Sequence, residues 1–282
     1  MHVPRPLQTG SYEELYEHFG SPLAQQVRLE AYGKDIGQHS WVTAEELEEN
    51  VPQLRLSGLG RLLDLGCGPC GPLTFVLGAV RCHGTGIDMS AHALAVGRDR
   101  AARQDCGGLL SVLRADLDNP LPLLSNTFDA VLALDVVLHV RDRARLVCEA
   151  ARVLIPGGRF LFTDAGVITG AISAEEISRR AVHGLTQFAP QGFNERTLEA
   201  AGFRLIDRQD RTASLLKNAI GRLAARRAHR MELEQLEGAP QFERQQEYLE
   251  TVIALSDRRA LARILYVGES GAATRSGECY AG

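Results

Sequence analysis

The chain has 282 residues, of which 45% are hydrophobic, and its formal net charge is −4. This length and apolar content suit one large α/β domain with an elaboration, or two small domains. The slight negative charge argues against a general nucleic-acid binder, because such proteins usually carry a surplus of lysine and arginine. Since no apolar run approaches a membrane span and the N-terminus lacks a signal-peptide core, we expect a cytoplasmic protein without membrane or nucleic-acid partners.

The six cysteines are scattered along the chain, and two of them, Cys67 and Cys70, have CxxC spacing. No second close pair completes a zinc site, so we expect no metal. The pair also lies inside a glycine-rich turn, and we expect reduced thiols rather than a redox centre. For the assembly we expect a monomer or a homodimer.

Residues 1–55 are expected to form a helical extension over the active site. Ser11 has the character of a helix cap, with a helix reaching to residue 19, and a second helix is expected over residues 22–32. Thr43 and Glu46 have capping-box spacing and predict a short helix. Between the last two lies a polar segment, residues 32–41, which contains two glycines and the only tryptophan.

From Arg61 onwards, apolar strands alternate with helices. The predicted strands are residues 61–65, 84–88, 109–114, 128–134, 159–164, 203–207 and 261–267. The predicted helices are residues 72–81, 91–104 with Ser90 as cap, 143–154, and 195–201 with Asn194 as cap. This α/β pattern predicts a Rossmann-like, seven-stranded, mostly parallel sheet, with residues 56–212 as its core. Its ligand is expected beyond the carboxyl ends of the strands.

Residues 213–257 interrupt this alternation between the last two strands, and residues 258–282 form the last strand and a tail. We predict a helical cap of two helices hinged at Gly238, lying over the substrate side. Its basic residues are Arg222, Arg226, Arg227 and Arg230, and acidic residues follow them. The ordinary interpretation is a solvated helix face with intrahelical ion pairs. The alternative is a contact with an anionic substrate.

The glycine-rich turn after the first strand matches the pattern GxGxxG from Gly66 to Gly71, and Asp88 ends the next strand. Taken alone, this pattern is consistent with a dinucleotide site. Two further acids favour a different cofactor. Asp64 stands before the first glycine, where a dinucleotide turn usually has a small or apolar residue, and Asp116 follows the third strand.

With the Pro-Gly-Gly turn at residues 156–158, this set resembles the class I S-adenosylmethionine-dependent methyltransferases. The matching segments, in chain order, are residues 63–68, 86–90, 115–116, 128–133 and 154–159. The resemblance implies S-adenosylmethionine as cofactor. It places Gly66 and Gly68 against the amino-acid end of the cofactor, Asp64 near its ammonium, and Asp88 at both ribose hydroxyls. The structural alternative for Asp88 is a helix-cap partner of Ser90.

The same resemblance assigns the adenine end. Met89 would pack on the adenine face, and Asp116 with the Leu117 backbone would meet the adenine amino group. The alternative for Asp116 is a solvated loop acid. Leu134 and Gln38 are further expected cofactor contacts.

Asp135 and His139 follow the fourth strand and are four residues apart. On a helical turn they would share a face, where a carboxylate and an imidazole can bind a cationic amine and accept its proton. We predict that they are catalytic and contact the substrate. The alternative is that Asp135 caps the following turn and His139 supports the loop.

This segment resembles that of the phosphoethanolamine and other small-amine N-methyltransferases, as does the Tyr-Gly-Lys-Asp sequence beginning at Tyr32. Tyr32, His39 and Trp41 are further candidate substrate contacts. The alternative is that Gln38, His39 and Trp41 close the cofactor pocket from the extension, and a lone tryptophan serves packing as often. The sequence also departs from that group. Its N-terminal tyrosine has only Tyr12 and Tyr16 as candidates, and alanine follows the acid after the fifth strand, where the group has tyrosine.

We therefore predict an S-adenosylmethionine-dependent methyltransferase that acts on a small-molecule metabolite by in-line displacement, with N-methylation of an amine favoured. The protein's part in such a reaction is to hold the nucleophile opposite the sulfur and to exclude water. An O- or C-methyltransferase of a natural-product pathway is the alternative. A nicotinamide-dependent oxidoreductase and a non-catalytic cofactor-binding protein are more distant ones.

Overall fold

The computed structural model describes residues 13, 16–181 and 184–271. The predicted helix start at Ser11 and the candidate Tyr12 lie outside this part of the chain. Within it, a twisted sheet carries helices on both faces, and two further groups of helices cover one end of the sheet.

The strands follow the apolar segments of the sequence. They are β1 (Arg61–Leu65), β2 (His83–Asp88), β3 (Leu110–Arg114), β4 (Phe128–Leu134), β5 (Leu154–Ile168), β6 (Ala189–Pro190), β7 (Phe203–Asp210) and β8 (Leu261–Ser270). The strand β5 starts earlier and ends later than the predicted 159–164, so that the Pro-Gly-Gly turn forms its first part.

The sheet order is β3-β2-β1-β4-β5-β8-β7, and the two-residue β6 pairs with β5 off this path. Strands β1 to β5 pair in parallel, whereas β8 runs antiparallel to both β5 and β7. The predicted seven-stranded, mostly parallel α/β sheet is therefore confirmed, with β6 as a small addition. Buried parallel strands need apolar side chains on both faces, which explains the continuous apolar runs.

The helices of the extension and core begin and end at local signals. They are α1 (Pro22–Tyr32), α2 (Ala44–Asn50), α3 (Gly71–Val80), α4 (Ala91–Arg103), α5 (Arg143–Val153), α6 (Ala174–Arg180) and α7 (Phe193–Ala200). Short 3₁₀ turns cover Val51–Leu54, Gly107–Leu109 and Val137–His139. The Ser90 hydroxyl accepts a hydrogen bond from the Ala93 amide at 3.0 Å, as expected for the cap of α4.

The predicted cap at Asn194 is wrong. The helix α7 begins at Phe193, two residues before the predicted start at 195, and Gly192 in the left-handed region is its N-cap residue. The side-chain amide of Asn194 is instead buried between Arg143 and Asp164. Its Oδ1 atom accepts a hydrogen bond from Arg143, and its Nδ2 atom donates one to Asp164. This tertiary pairing outweighs the local preference of asparagine for a cap.

Three helices, not the predicted two, lie between β7 and β8. They are α8 (Thr212–Ala228), α9 (Arg230–Glu237) and α10 (Ala239–Asp257). The backbone bends at Gly238, where φ is +83°, and a second break at His229 separates α8 from α9. The helix α8 packs on both α1 and α10, so these helices and the N-terminal helix form one cover.

Two large apolar clusters lie on the two faces of the sheet, and a third joins the cover to the sheet edge. In the third cluster, Trp41 packs with Leu215, Ala219 and Tyr248 of the cover and with Ala165 of β5. None of the helices in the described part of the chain combines the length and apolar composition of a membrane span.

Candidate active site

A large cavity opens at the carboxyl ends of β1 and β4. The chain leaves β1 towards β2 on one side and later enters β4 on the other, so the connections diverge and leave a crevice. The cavity has a volume of about 1320 Å³, part of it open to solvent.

The glycine turn forms one wall of this cavity. Gly66 has a φ of +68°, and a Cβ atom at this position would lie 2.3 Å from Val136 Cγ2. The amides of Gly66 and Cys67 both donate to the carbonyl of Ile87 and so tie the turn to β2. Glycine is needed here for the backbone conformation and for the close approach of the loop after β4.

Asp64 lies at the end of β1, lines the cavity and is only 2% exposed. Within the described residues its carboxylate has no hydrogen-bond donor. Burial and the negative charge of Asp88 raise the pKa of Asp64 to about 8. A buried carboxyl group without a partner suits a ligand cation, which would supply the missing charge.

Asp88 lies at the end of β2 and accepts hydrogen bonds from two backbone amides. Its Oδ2 accepts from Gly68 at 2.8 Å and its Oδ1 from Ser90 at 2.9 Å. Burial raises its pKa, although these hydrogen bonds oppose the shift. Because each carboxylate oxygen has two acceptor positions, Asp88 keeps capacity for ligand hydroxyls.

Met89, Asp116, Leu117 and Leu134 also line the cavity. The Asp116 Oδ1 atom accepts from the Asp118 amide at 2.9 Å, which fixes the loop after β3. A buried carboxyl without a donor, an acid with spare acceptor positions and the apolar lining side chains of Met89, Leu117 and Leu134 together fit the ammonium, ribose and adenine of S-adenosylmethionine. The roles of the individual residues remain predictions.

Asp135 lies in the loop after β4 and also lines the cavity, but with a φ of +56° it is not on a helical turn with His139. That part of our expectation is wrong. Its carboxylate accepts hydrogen bonds from the Trp41 amide at 2.9 Å, from the Thr163 hydroxyl at 2.8 Å and from Arg263 Nε at 2.9 Å. Asp135 is therefore bound to protein groups, which lessens its capacity to bind a cationic substrate.

His139 ends the 3₁₀ turn after β4 and lines the cavity. Its Nδ1 atom is 2.8 Å from the Leu185 carbonyl, which can only accept, so Nδ1 carries the proton. Burial lowers the pKa of His139 to about 4. At neutral pH the imidazole is therefore neutral and has its lone pair on Nε2.

Two arginines that line the cavity have no carboxylate within ion-pairing distance among the described residues. Arg180, only 4% exposed, donates to the Tyr248 hydroxyl at 3.2 Å. Arg222 of α8 lies 4.9 Å from the centre of the Trp41 ring. In contrast, Arg226 and Arg227 of the same helix pair with Glu237 and Glu250. The basic run is thus mostly an ion-paired face, and Arg222 is the exception.

The extension supplies another wall, in which His39 and Trp41 line the cavity together with Tyr16. Gln38 and Tyr32 support this wall from behind and are not among the lining residues. The Gln38 side chain accepts from the Ile36 amide at 3.0 Å, and the Tyr32 hydroxyl donates to the Ser40 carbonyl at 3.1 Å. The predictions that Gln38 contacts the cofactor and Tyr32 the substrate are therefore wrong, because both side chains support the wall from outside the cavity.

Sequence reasoning missed Arg180, Tyr248 and Arg263. Arg180 and Tyr248 come from helices far apart in the chain, and neither has a motif around it. Arg263 had a usable signal, because a charged residue inside the apolar run of the last strand must have a buried partner.

A family model described as a methyltransferase domain matches residues 63–162. Sarcosine/dimethylglycine N-methyltransferase of Halorhodospira halochloris is 30% identical over 211 residues, which are 70% of this chain and 70% of that protein. Phosphoethanolamine N-methyltransferase 1 of Triticum aestivum is 29% identical over 173 residues, which are 61% of this chain. The chain spans 34% of the length of that wheat relative.

Other relatives are named as O-methyltransferases and as a sterol C-methyltransferase, so similarity alone leaves the accepting atom open. Among solved structures, phosphoethanolamine N-methyltransferase 2 of Haemonchus contortus was determined with phosphomonomethylethanolamine and S-adenosylhomocysteine. It superposes with a TM-score of 0.77 at 16% identity, covering 93% of this chain and 60% of that one. At this identity the likeness concerns the fold.

Proposed function

The chain belongs to the class I S-adenosylmethionine-dependent methyltransferases that act on small molecules, and from this premise we propose that it methylates an amine nitrogen. We further propose that the acceptor carries an anionic group. The observation that carries the first proposal is the half-buried imidazole of His139 in the cavity wall, whose Nδ1 atom donates to the Leu185 carbonyl. The N-methyltransferases among the relatives support the same accepting atom.

The cofactor supplies an activated methyl group on its sulfonium sulfur. In this proposal the Asp64 carboxylate binds the cofactor ammonium, Asp88 binds the ribose hydroxyls, and Asp116 meets the adenine. The glycine turn allows the cofactor to lie against the backbone. These residues hold and orient the cofactor, while the cover of α1, α8 and α10 excludes water from the reacting atoms.

An amine that arrives protonated must lose a proton before it can accept the methyl group, because a protonated amine has no lone pair. The Leu185 carbonyl holds His139 in the tautomer that leaves Nε2 able to accept this proton. The low pKa of His139 keeps the imidazole neutral over the whole neutral range, so that Nε2 is unprotonated, although the same shift makes it a weaker base than an ordinary histidine. His139 is therefore our candidate general base.

Arg180 and Arg222 support an anionic group on the acceptor. Arg180 is buried and Arg222 is half-buried. A guanidinium withdrawn from water without a carboxylate is costly, and a substrate carboxylate or phosphate would offset that cost. Both arginines line the same cavity as His139, together with Tyr248. An acceptor with an amine at one end and an anion at the other would satisfy both features.

The acceptor class is tested by incubating the protein with S-adenosylmethionine and four matched compounds, and measuring S-adenosylhomocysteine release and product mass. The compounds are an amino carboxylate, an amino alkyl phosphate, a neutral amine and a hydroxy carboxylate of similar size. We expect turnover of one of the first two only. Turnover of the hydroxy carboxylate to a product whose methyl group resists alkali, as a methyl ether does, would instead establish methylation of the hydroxyl oxygen, which the two arginines would also favour by stabilising an oxyanion.

Replacing His139 with alanine tests the proton acceptor. We expect kcat with the amine acceptor to fall by about 10²–10⁴-fold, because general-base help has this size. The affinity for S-adenosylhomocysteine should stay nearly unchanged, and H92A, at an exposed position of α4, is the matched control. An H139A rate equal to that of H92A would contradict the proposed role.

Replacing Arg222 with glutamine tests the anion contact. We expect KM for the anionic acceptor to rise by roughly 10–100-fold, since a hydrogen bond to a charged group contributes about 1.5–3 kcal/mol. The matched control is R227Q on the same helix, whose arginine pairs with Glu250 in solvent. Equal KM values for the two variants would contradict the contact.

A further inference from the structure

We propose that Arg263 is a positioning residue, which holds one wall of the cavity in place although it does not line the cavity itself. This wall is the segment from Gly37 to Trp41. Arg263 lies in the middle of β8, is 0% exposed and has apolar neighbours on both sides in the strand. Its charge must therefore be satisfied by specific partners inside the protein.

Arg263 binds two carboxylates from distant parts of the chain. Its Nε atom donates to Asp135 Oδ1 at 2.9 Å, and its Nη1 atom donates to Glu46 Oε1 at 2.7 Å. The strand that carries it, the loop after β4 and the helix α2 of the extension are thereby joined at one buried point. Burial alone would lower the pKa of Arg263, but the two carboxylates outweigh this effect and raise it.

The Asp135 carboxylate, which Arg263 holds in place, is in turn hydrogen-bonded to the wall. Its Oδ2 atom accepts from the Trp41 amide at 2.9 Å, while its Oδ1 atom accepts from the Thr163 hydroxyl at 2.8 Å. The Trp41 carbonyl accepts in turn from the side-chain Nδ2 atom of Asn218 in α8 at 2.8 Å. The backbone of Trp41 is thus held on both sides, by the core and by the cover.

The position of the wall that contains Trp41 affects both the acceptor end of the cavity, at Arg222 and Tyr248, and the cofactor end, at the glycine turn. The Trp41 ring stacks on Tyr248, with centroids 6.3 Å apart, and supports the Arg222 guanidinium. At the other end of the wall, the Gly37 carbonyl packs against the backbone of Gly71, at the end of the glycine turn. A Cβ atom added at Gly71 would lie 2.1 Å from the Gly37 carbonyl oxygen. A shift of this wall would therefore disturb the cofactor end as well as the side chains of the acceptor end.

The test compares R263M with R159M in the full chain. Arg159 of β5 is also buried and ion-paired, to Glu269 at 2.7 Å, but it lies in the first half of its strand, away from the carboxyl end that borders the cavity. Because Trp41 is the only tryptophan, its fluorescence reports on the wall directly. Affinity for S-adenosylhomocysteine is measured by calorimetry, so the test does not depend on knowing the acceptor.

For R263M we expect a red-shifted Trp41 emission, increased quenching by acrylamide and an affinity for S-adenosylhomocysteine weaker by about tenfold. For R159M we expect both properties to remain near those of the unchanged protein. If R263M does not fold, R263K replaces it, since lysine keeps the charge but loses the fork that reaches two carboxylates. Unchanged emission and affinity in a folded Arg263 variant, or equal changes in R159M, would overturn the proposal.

Discussion

The Asp64 carboxyl group is buried at the end of β1, close to Asp88 on the neighbouring strand, and its pKa is raised to about 8. In the ligand-free protein it is therefore mostly protonated at neutral pH. A group whose pKa is raised on folding contributes most to stability below its ordinary value of 3.8, and this contribution is lost as the pH rises through about 8. The cofactor ammonium is the charge that would favour the ionised form.

From this we predict that S-adenosylhomocysteine binding releases a proton and tightens with increasing pH. Between about pH 6 and pH 8 the Kd should fall by up to roughly tenfold per pH unit, because only the ionised carboxyl pairs with the ammonium. Calorimetry in buffers of different ionisation enthalpy measures the proton release. The D64N variant should bind more weakly and with little pH dependence. Equal pH slopes for both proteins would show that another group titrates.

At the scale of single elements, the glycine turn requires glycine at a specific position, whereas the helix α3 after it contains a glycine that its geometry does not require. Gly66 has a φ of +68° and faces Val136, whereas Gly78 is exposed in the last turn of α3 with nothing within 4 Å of an added Cβ. Only the first position requires glycine for its geometry.

We therefore predict opposite effects of two glycine-to-alanine changes. G66A should lower the free energy of unfolding by about 1–3 kcal/mol and abolish S-adenosylhomocysteine binding, because it adds both strain and a clash. G78A should raise the free energy of unfolding by roughly 0.5–1 kcal/mol without affecting binding, because alanine favours the helix. Urea denaturation followed by circular dichroism gives both values. If G66A left both the free energy of unfolding and the binding unchanged, the turn would have adapted to the added methyl group.

At the scale of the whole molecule, the N-terminal extension and the helical cap meet through a close helix contact. A Cβ atom at Gly221 of α8 would lie 2.6 Å from the carbonyl oxygen of Ala31 in α1. Because this neighbour is backbone rather than a flexible side chain, it cannot move away without shifting a helix. The glycine thus sets the distance between the two halves of the cover.

We predict that G221A destabilises the protein by about 1–3 kcal/mol, although alanine is the better helix former. The unfolding transition should shift equally when it is followed by Trp41 fluorescence and by circular dichroism, if the cover and the core unfold together. G78A again serves as the control, since it adds the same methyl group at an exposed helix position. A stabilised G221A would show that α1 and α8 tolerate a wider spacing.

The sequence by itself was sufficient for the sheet, for the cofactor and for the reaction class. The strands are continuous apolar runs, and the acids and glycines at their ends belong to short segments whose geometry is local. Asp64, Gly66, Asp88 and Asp116 could be found in this way because each stands next to the strand or turn that positions it. The division of the cap into three helices was missed, since the break at His229 has neither glycine nor proline.

Only the tertiary structure decided which charges face the cavity and which have partners in the protein. Asp135 and Arg263 are 128 residues apart, and Glu46 and Arg263 are 217 apart, so no local pattern could reveal that they form one buried network. In the same way, Arg222 and Arg226 look alike in the sequence. They differ because Glu237 lies beside Arg226, whereas Arg222 lies over the Trp41 ring at the cavity. Long-range pairing of charges depends on how the elements pack, so only the packed structure shows which charged groups of the cavity wall have a partner.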